Sequence, residues 1–257
     1  MQLSYAQKME LYRRGIVQLP GVVPQVMVDA ALRAINHSFG EGMDPALLNK
    51  FRSQSYCPEL QQQEVIANLF NLTPARPLAE SAVGPLKPVG AGQIAVRFPS
   101  MQDPPEEPRG HLDGMYSPHN GVPKGEIRNF TMLLGVMLSE VKVPFAGNLT
   151  LWPGSHHVYE QYFRTHGPEA LLEGMPQVEL APPVQVLAQP GDVALVHYQV
   201  KHGAAPNISP HPRYAIYFRL SHVDHDQRRR EVMQDIWLEW EGMKEIVAAR
   251  RNAAPAA

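Results

Sequence analysis

With 257 residues and a formal net charge of −2, the chain is of ordinary size for one barrel or sandwich domain and has no charge excess that favours a nucleic acid or an anionic membrane as partner. Its single cysteine, Cys57, excludes an intrachain disulfide and favours a reducing compartment. No N-terminal apolar run is long enough for a signal peptide or a spanning helix. We therefore expect a cytoplasmic protein, either monomeric or homodimeric.

Helical patterns dominate the first third of the chain. Apolar residues recur at helical spacing between a Ser4 cap and Gly15, which predicts a helix over residues 4–14. Residues 16–21 are typical of a short strand with a stop, and a proline-initiated amphipathic helix is predicted over 24–39. Two more helices are predicted over 64–71 and 74–83, the second capped by Thr73.

Strand patterns follow after residue 90. Residues alternate between a polar side (Gln93, Ala95, Arg97) and an apolar side (Ile94, Val96, Phe98). The same alternation separates Asn129, Thr131, Leu133 and Gly135 from Phe130, Met132, Leu134 and Val136. One face packed on helices and one face turned to a cavity is the simplest interpretation.

The remaining elements complete a mainly-β pattern. A strand ending near residue 152, a helix over 158–164, two strands around the Pro190-Gly191-Asp192 turn and a strand after Pro212 are predicted. A long helix over 227–250 closes the chain, and residues 251–257 are expected to fray. This order favours an antiparallel jelly roll with flanking helices. We expect one domain, with a helical part at about 1–85, a jelly-roll core at about 90–222 and a C-terminal helix at about 227–250.

His111-Leu112-Asp113 is the strongest candidate for a metal site. On an extended backbone both polar side chains leave the same face, and a distal histidine would complete two nitrogens and one carboxylate, a ligand set suited to non-haem Fe(II). His202 is the predicted third ligand, while the rival His197 lies inside an apolar strand. His222-Val223-Asp224 has the same spacing but no distal partner, so we interpret it as a charged strand end.

Four motifs in order carry a family resemblance: "HLD", "GNLTLWPGSHH", "PGDVALVHYQVKHGAAPN", and Arg213 eleven residues after His202. Together they resemble the phytanoyl-CoA dioxygenase family of Fe(II)/2-oxoglutarate oxygenases, over roughly residues 8–222. The resemblance implies a cupin-like double-stranded β-helix, iron ligation by His111, Asp113 and His202, and a clamp by Arg213 on the distal carboxylate of 2-oxoglutarate. An arginine fork is well matched to that carboxylate.

Other polar residues are candidates for ligand contacts. Candidates for the cofactor cavity are Gln93, Arg97, Thr131 and Asn148. Candidates for substrate contact are Tyr116, His119, Arg128 and Tyr217. Each of them has an ordinary structural alternative as a strand, loop or surface residue. Arg219, one pleat beyond Tyr217, is expected at the rim. Arg97, Lys124, Arg128 and Lys142 favour an anionic small molecule as substrate.

The resemblance implies the reaction. Fe(II), 2-oxoglutarate and O2 would yield succinate, carbon dioxide and a ferryl oxidant that hydroxylates an unactivated C–H bond of a small molecule. The same chemistry also serves desaturation, epimerisation and cyclisation, and the sequence does not separate these outcomes. Asp113 argues against halogenation, because halogenating relatives replace the carboxylate. A catalytically inactive metal-binding jelly roll is the alternative from another class, and Arg213 argues against it.

Overall fold

The computed structural model describes residues 1–100, 102 and 104–253. In that part of the chain the α-helices are α1 (Tyr5–Arg14), α2 (Gln25–Gly40), α3 (Leu48–Ser53), α4 (Glu64–Asn71), α5 (Ala75–Val83), α6 (Ser155–His166), α7 (His225–Arg228) and α8 (Lys244–Ala253). The β-strands are β1 (Ile16–Leu19), β2 (Gln93–Arg97), β3 (Met132–Met137), β4 (Leu149–Leu151), β5 (Val184–Gln185), β6 (Val193–His197), β7 (His202–Ala204) and β8 (Arg213–Leu220). Residues 251–257 were expected to fray, and of these residues 254–257 lie outside the described part of the chain.

The N-terminal helices begin and end close to where the sequence predicts. At the start of α1 the Ser4 hydroxyl accepts from the Gln7 N–H at 3.2 Å and the Gln7 side chain accepts from the Ser4 N–H at 2.8 Å. Gly15 ends the helix in the left-handed conformation at φ 72°. Thr73 assists the start of α5, since its hydroxyl accepts from the Ala75 N–H at 3.3 Å.

Two antiparallel sheets form the core. The major sheet has the strand order β1-β6-β3-β8-β2, and the minor sheet has the order β5-β4-β7. Inward-facing residues of both sheets, among them Leu133, Ala215, Leu149 and Leu151, pack in one apolar cluster. Two antiparallel sheets packed face to face in this way form the predicted jelly roll with flanking helices.

The alternation along the strands separates two environments. Ile94 and Val96 of β2 pack with α2, α4 and α5 in a second apolar cluster behind the major sheet. Gln93, Ala95 and Arg97 are half-buried on the opposite face, toward the minor sheet. The polar side of β2 therefore faces the interior of the jelly roll, and the site described below lies at that face.

The region 227–250 does not form the single helix that its sequence predicts. α7 ends at Arg228, and two short 3-10 turns, Glu231–Met233 and Glu241–Met243, precede α8. Trp240 has a non-helical backbone (φ −107°, ψ 72°) and is 1% exposed. Gly242 packs so closely on Ser81 that a Cβ would collide with the Ser81 carbonyl. Burial of Trp240 and this close contact with α5 override the local helical preference.

Among the described residues, no helix combines the length and the apolarity needed to span a membrane.

Candidate metal centre

Backbone pairing brings His111 and His202 together. The His111 N–H donates to the His202 carbonyl at 2.8 Å, and the His202 N–H donates to the His111 carbonyl at 3.1 Å. Residues that exchange both bonds stand directly opposite and project to the same side. The two imidazole centroids are accordingly 4.8 Å apart. His202 was expected just after a strand, but the turn at residues 198–200 redirects the chain so that His202 begins β7.

A glycine makes this pairing possible. A Cβ at Gly203 would collide with the carbonyl oxygen of Arg109, so a larger residue would push the 109–111 segment away from β7. Leu112 anchors the same segment from the other side, because its side chain is fully buried between the sheets. The alternation His-Leu-Asp thus places one apolar anchor between two polar groups that share a face.

Asp113 completes the predicted triad. One of its carboxylate oxygens, Oδ1, lies 3.1 Å from His111 Nε2, and the other, Oδ2, lies 3.9 Å from His202 Nε2. The three donor atoms lie within 4.8 Å of one another, and no other group of histidine, cysteine, aspartate and glutamate in the described part of the chain meets this condition. Two imidazole nitrogens and a carboxylate oxygen fit a facial Fe(II) site.

The surroundings keep Asp113 and His202 in metal-binding protonation states. Burial raises the pKa of Asp113, but the charge of Arg219 and the hydrogen bond with His111 outweigh it and hold that pKa well below its usual value. Burial lowers the pKa of His202 to about 4. His202 Nδ1 lies 3.0 Å from the Val200 carbonyl, which as acceptor leaves Nε2 free for a metal. His111 is exposed on its outer side.

Arg213 is a buried cation on the same inner face. It is 3% exposed, its Nε donates to the Gly147 carbonyl at 2.6 Å, and its NH1 donates to the Ala95 carbonyl at 3.2 Å. No carboxylate of the described residues lies within 4 Å of its guanidinium. Burying a charge without a counter-ion is unfavourable, so this arrangement suits an anionic ligand.

A second arginine stands directly opposite. Arg97 of β2 pairs in register with Arg213 of β8, and among the described residues its guanidinium donates to the Val96 carbonyl alone, at 3.3 Å. Burial, followed by the charges of Arg213 and Arg52, lowers the pKa of Arg97 to about 10. Two like charges placed side by side, one buried and one half-buried, concentrate positive potential at this end of the strand pair.

Gln93 and Tyr217 lie at the other end of the same strand pair. They are partners in the β2–β8 register, and the Tyr217 ring covers Gly135, where a Cβ would lie 2.8 Å from the ring. Ala95 and Ala215 stand opposite each other between this pair and the two arginines. The predicted cavity residues Gln93, Arg97, Arg213 and Tyr217 therefore share one face of the sheet.

Sequence reasoning placed Arg219 at the rim, and the structure places it on the metal triad. Its Nε donates to Asp113 Oδ2 at 3.0 Å and its NH1 donates to Gln93 Oε1 at 2.8 Å. The alternation from Arg213 through Tyr217 is the signal that puts Arg219 on the inner face. The contact between Arg219 and Asp113 depends on how the 111–113 segment packs, so no local sequence pattern predicts it.

Thr131 and Asn148 have their polar atoms engaged within the protein. The Thr131 hydroxyl donates to Glu239 Oε2 at 2.6 Å and accepts from the His222 N–H at 3.0 Å. The Asn148 amide donates to the Val143 and Val186 carbonyls, each at 3.1 Å, and its oxygen accepts from the Ala146 N–H at 2.9 Å. Both side chains order the surrounding backbone, and neither is within hydrogen-bonding distance of the triad.

The candidates for substrate contact in the 114–128 loop remain at its surface. Tyr116 is 40% exposed, and the His119 carbonyl accepts from the Gln54 side chain at 2.8 Å. Arg128 forms an ion pair with Glu126 at 2.9 Å. The Arg128 N–H also donates to the Gly114 carbonyl at 2.9 Å, so the loop returns to its starting point beside Asp113.

Comparison with protein families gives one match at the jelly-roll core. The model of the phytanoyl-CoA dioxygenase family matches residues 111–215. This segment begins at the first histidine of the triad and includes Asp113, His202 and Arg213. No curated protein matches the chain.

Solved structures resemble the chain over most of its length. The carbocyclase SnoK from nogalamycin biosynthesis, a non-haem α-ketoglutarate-dependent enzyme, has a TM-score of 0.53 at 21% identity, covering 88% of this chain and 90% of its own. EctD from S. alaskensis in its apo form has a TM-score of 0.55 at 22% identity, covering 85% and 77%. HygX from Streptomyces hygroscopicus with nickel and 2-oxoglutarate bound has a TM-score of 0.55 at 17% identity, covering 86% and 88%. At these identities the likeness establishes the fold.

Proposed function

We propose that this chain, whose residues 111–215 match the model of the phytanoyl-CoA dioxygenase family, is an iron- and 2-oxoglutarate-dependent oxygenase that hydroxylates an unactivated C–H bond of a small molecule. The family, the enzyme class and the cofactors predicted from the sequence are confirmed by this match together with the metal triad. The proposal for the individual residues depends on one observation: the triad and a buried arginine without a counter-ion occur together within the jelly roll.

His111, Asp113 and His202 would hold the iron. Each contributes one donor atom, and the exposed side of His111 leaves the site open for further ligands. When bound, iron and 2-oxoglutarate would supply the oxidising chemistry with O2, of which one oxygen atom enters the succinate formed by decarboxylation and the other enters the substrate. The protein provides the donors, orients the ligands and limits the access of water.

Arg213 would hold the distal carboxylate of 2-oxoglutarate. The Gly147 and Ala95 carbonyls fix its guanidinium, so the cation is oriented before the ligand arrives. Arg97 would add a second positive charge at the same end, since it lies opposite Arg213 in the strand register. An oriented, charge-assisted contact of this kind contributes about 1.5–3 kcal/mol to binding.

Gln93 and Tyr217 would form the substrate side of the cavity, near the triad. Tyr217 packs against an apolar cluster that includes Leu133, Met137, Leu149 and Leu151, all buried between the two sheets. Such a lining favours an apolar target carbon and excludes bulk water from the reacting atoms. The 114–128 loop, with Tyr116, His119 and Arg128, begins directly after Asp113 and would cover a bound substrate.

Three of the four cations that suggested an anionic substrate have partners within the protein. Lys142 pairs with Glu140 at 2.8 Å, and Arg128 pairs with Glu126. Lys124 lies over the Tyr116 ring at 5.3 Å from its centroid. Arg97 has no carboxylate partner within 4 Å among the described residues. The substrate charge, the oligomeric state, the single-domain organisation and the cytoplasmic location stay predictions.

Anaerobic visible absorption tests the proposal. Fe(II) and then 2-oxoglutarate are added to metal-free protein, and we expect a metal-to-ligand charge-transfer band in the wild type. His202→Ala should abolish the band, whereas His211→Ala, which changes an exposed histidine, should retain it. Arg213→Ala should keep the band but require about 100-fold more 2-oxoglutarate, equivalent to about 2.7 kcal/mol. Arg109→Ala serves as the exposed-arginine control.

Two outcomes would contradict the proposal. Stoichiometric metal binding without a band would favour a metal-binding module that does not use 2-oxoglutarate. A band with unchanged 2-oxoglutarate affinity in Arg213→Ala would remove Arg213 from the clamp. Product mass then separates hydroxylation, which adds an oxygen atom, from epimerisation, which leaves the mass unchanged, and from desaturation and cyclisation, which both remove two hydrogens.

A further inference from the structure

Arg219 connects the metal triad to strand β2 through two hydrogen bonds. Its Nε donates to Asp113 Oδ2 at 3.0 Å, and its NH1 donates to Gln93 Oε1 at 2.8 Å. Its guanidinium also lies over the Phe130 ring, 5.8 Å from the centroid. Asp113 is only 11% exposed in its side chain, whereas that of Arg219 is 42% exposed. Arg219 is accessible to solvent and does not need this carboxylate for its own solvation. We therefore interpret the contact as one in which Arg219 acts on Asp113.

The two oxygens of Asp113 have different partners. Oδ1 is the oxygen nearest His111 Nε2, at 3.1 Å, while Oδ2 carries the hydrogen bond from Arg219. A carboxylate offers a metal either one oxygen or both. Binding through both would occupy an additional coordination position, and 2-oxoglutarate needs two of the positions that the protein leaves free.

We propose that Arg219 is a positioning residue that restricts Asp113 to a single metal-binding oxygen, so that the positions needed by 2-oxoglutarate stay open. This inference rests on the proposed metal centre. Arg219 acts through Asp113 by occupying Oδ2, and Gln93 holds the guanidinium in the orientation that makes this contact. The role is distinct from that of Arg213, whose guanidinium lies at the far end of the same strand.

Cobalt titration tests this role without turnover. Co(II) is added to metal-free wild type, Arg219→Gln and Arg219→Lys, and the ligand-field absorption is recorded before and after titration with 2-oxoglutarate. The control is Arg76→Gln, because Arg76 has the same side-chain exposure of 42% and an Nε–carboxylate distance of 3.0 Å to Glu80, but lies on α5. Circular dichroism and Tm verify that each variant is folded.

We expect Arg219→Gln to bind Co(II) at least as tightly as wild type, because a positive charge beside the metal is lost. Its Co(II) spectrum should change, and its Kd for 2-oxoglutarate should rise at least about tenfold, equivalent to about 1.4 kcal/mol. Arg219→Lys keeps the charge without the fork, so its spectrum and Kd should be intermediate. This variant carries the test if Arg219→Gln does not fold. Arg76→Gln should match wild type in every measurement.

Wild-type spectra and 2-oxoglutarate affinity in the folded Arg219 variants would overturn the inference while leaving the metal centre intact. Loss of Co(II) binding in those variants would overturn it as well, because Arg219 would then be required to hold Asp113 in place at all. A wild-type protein that binds no Co(II) would refute the proposed metal centre itself, and the inference with it.

Discussion

The chain contains the pattern His-x-Asp twice, and the two copies have different surroundings. The backbone of His111 pairs with that of His202, which brings a second imidazole to the same face. The backbone of His222 pairs with Leu86 instead. His222 Nδ1 accepts from the Asp224 N–H at 3.1 Å, and Asp224 lies at the surface beside Arg228. Identical spacing therefore gives a candidate metal centre only where the neighbouring strand supplies another donor.

The second copy adjoins a buried network that uses its polar groups internally. Glu239 and His225 are each 1% exposed, with His225 Nδ1 lying 2.9 Å from Glu239 Oε2. Thr131 donates to the same oxygen, and His225 Nε2 lies 3.0 Å from the Asn129 carbonyl. These contacts connect the C-terminal segment to the start of β3. The donor atoms of His111, Asp113 and His202 stay available to a metal. The polar groups of His225, Glu239 and Thr131 instead bind one another and hold the fold together.

The sharpest way to break this comparison is to remove the carboxylate from each copy. Asp113→Ala should lower the affinity for Co(II) or Ni(II) by about 1000-fold or more, equivalent to about 4 kcal/mol, because one of three ligands is lost. Asp224→Ala should leave that affinity unchanged. Isothermal titration calorimetry measures both. Equal losses in the two variants would show that the structural difference between the copies does not decide metal binding.

Breaking the buried network should affect stability without affecting metal affinity. Glu239→Ala leaves His225 and the Thr131 hydroxyl without their shared partner, and removal of one member of a buried pair costs about 3–5 kcal/mol. Urea denaturation measures the free energy of unfolding, with the exposed Glu245→Ala as control. A Glu239→Ala protein of wild-type stability, or one with weakened metal affinity, would contradict the division between the two clusters.

Acid should destabilise the protein through histidines outside the metal centre. Burial lowers the pKa of His197 to about 3 and that of His156 well below its usual value. The unfolded chain, with histidine pKa values of about 6.5, therefore binds more protons than the folded chain below that pH. Stability is thus fully present above pH of about 6.5 and is lost as pH falls toward 3, by about 1.4 kcal/mol per pH unit for each such histidine.

Denaturation of metal-free protein at several pH values checks this slope. His197→Phe keeps the stacking with Trp240, whose ring centroid lies 5.0 Å away, and removes the titrating group. The pH slope of the variant between about 6 and 4 should be smaller by about one proton. An unchanged slope would assign the acid sensitivity to other groups.

The smallest expected effect separates the binding of 2-oxoglutarate by Arg97 and Arg213 from the binding of the metal. Gly147 has φ 75°, and a Cβ there would lie 2.8 Å from Arg97 Cβ and 3.1 Å from Arg213 Cβ. Gly147→Ala should displace the two arginines and raise the Kd for 2-oxoglutarate about tenfold, equivalent to about 1.4 kcal/mol, with unchanged affinity for Co(II). Gly21→Ala introduces a side chain at φ 61° with nothing within 4 Å, so it controls for backbone strain alone. Equal 2-oxoglutarate affinities in both variants would refute the effect.

Local patterns predicted much of the fold because their causes are local. The Ser4 cap and Gly15 delimit α1 through hydrogen bonds and backbone conformation within one turn of helix. The alternation from Gln93 to Arg97 fixes which side chains share a face, whatever packs against them. The prediction of one helix over 227–250 was wrong, because the helix is interrupted by the burial of Trp240 and by the close approach of Gly242 to Ser81. Both depend on residues distant in sequence.

The sequence alone identified the candidate donors His111, Asp113 and His202, the clamp candidate Arg213 and the resemblance to the phytanoyl-CoA dioxygenase family, because order and spacing of motifs are properties of the chain. Only the tertiary structure decided that the first His-x-Asp pairs with His202 while the second pairs with Leu86, and that Arg219 binds Asp113. The physical reason is that these contacts join segments about 90 to 140 residues apart in the chain, and strand pairing, which no local propensity encodes, brings them together.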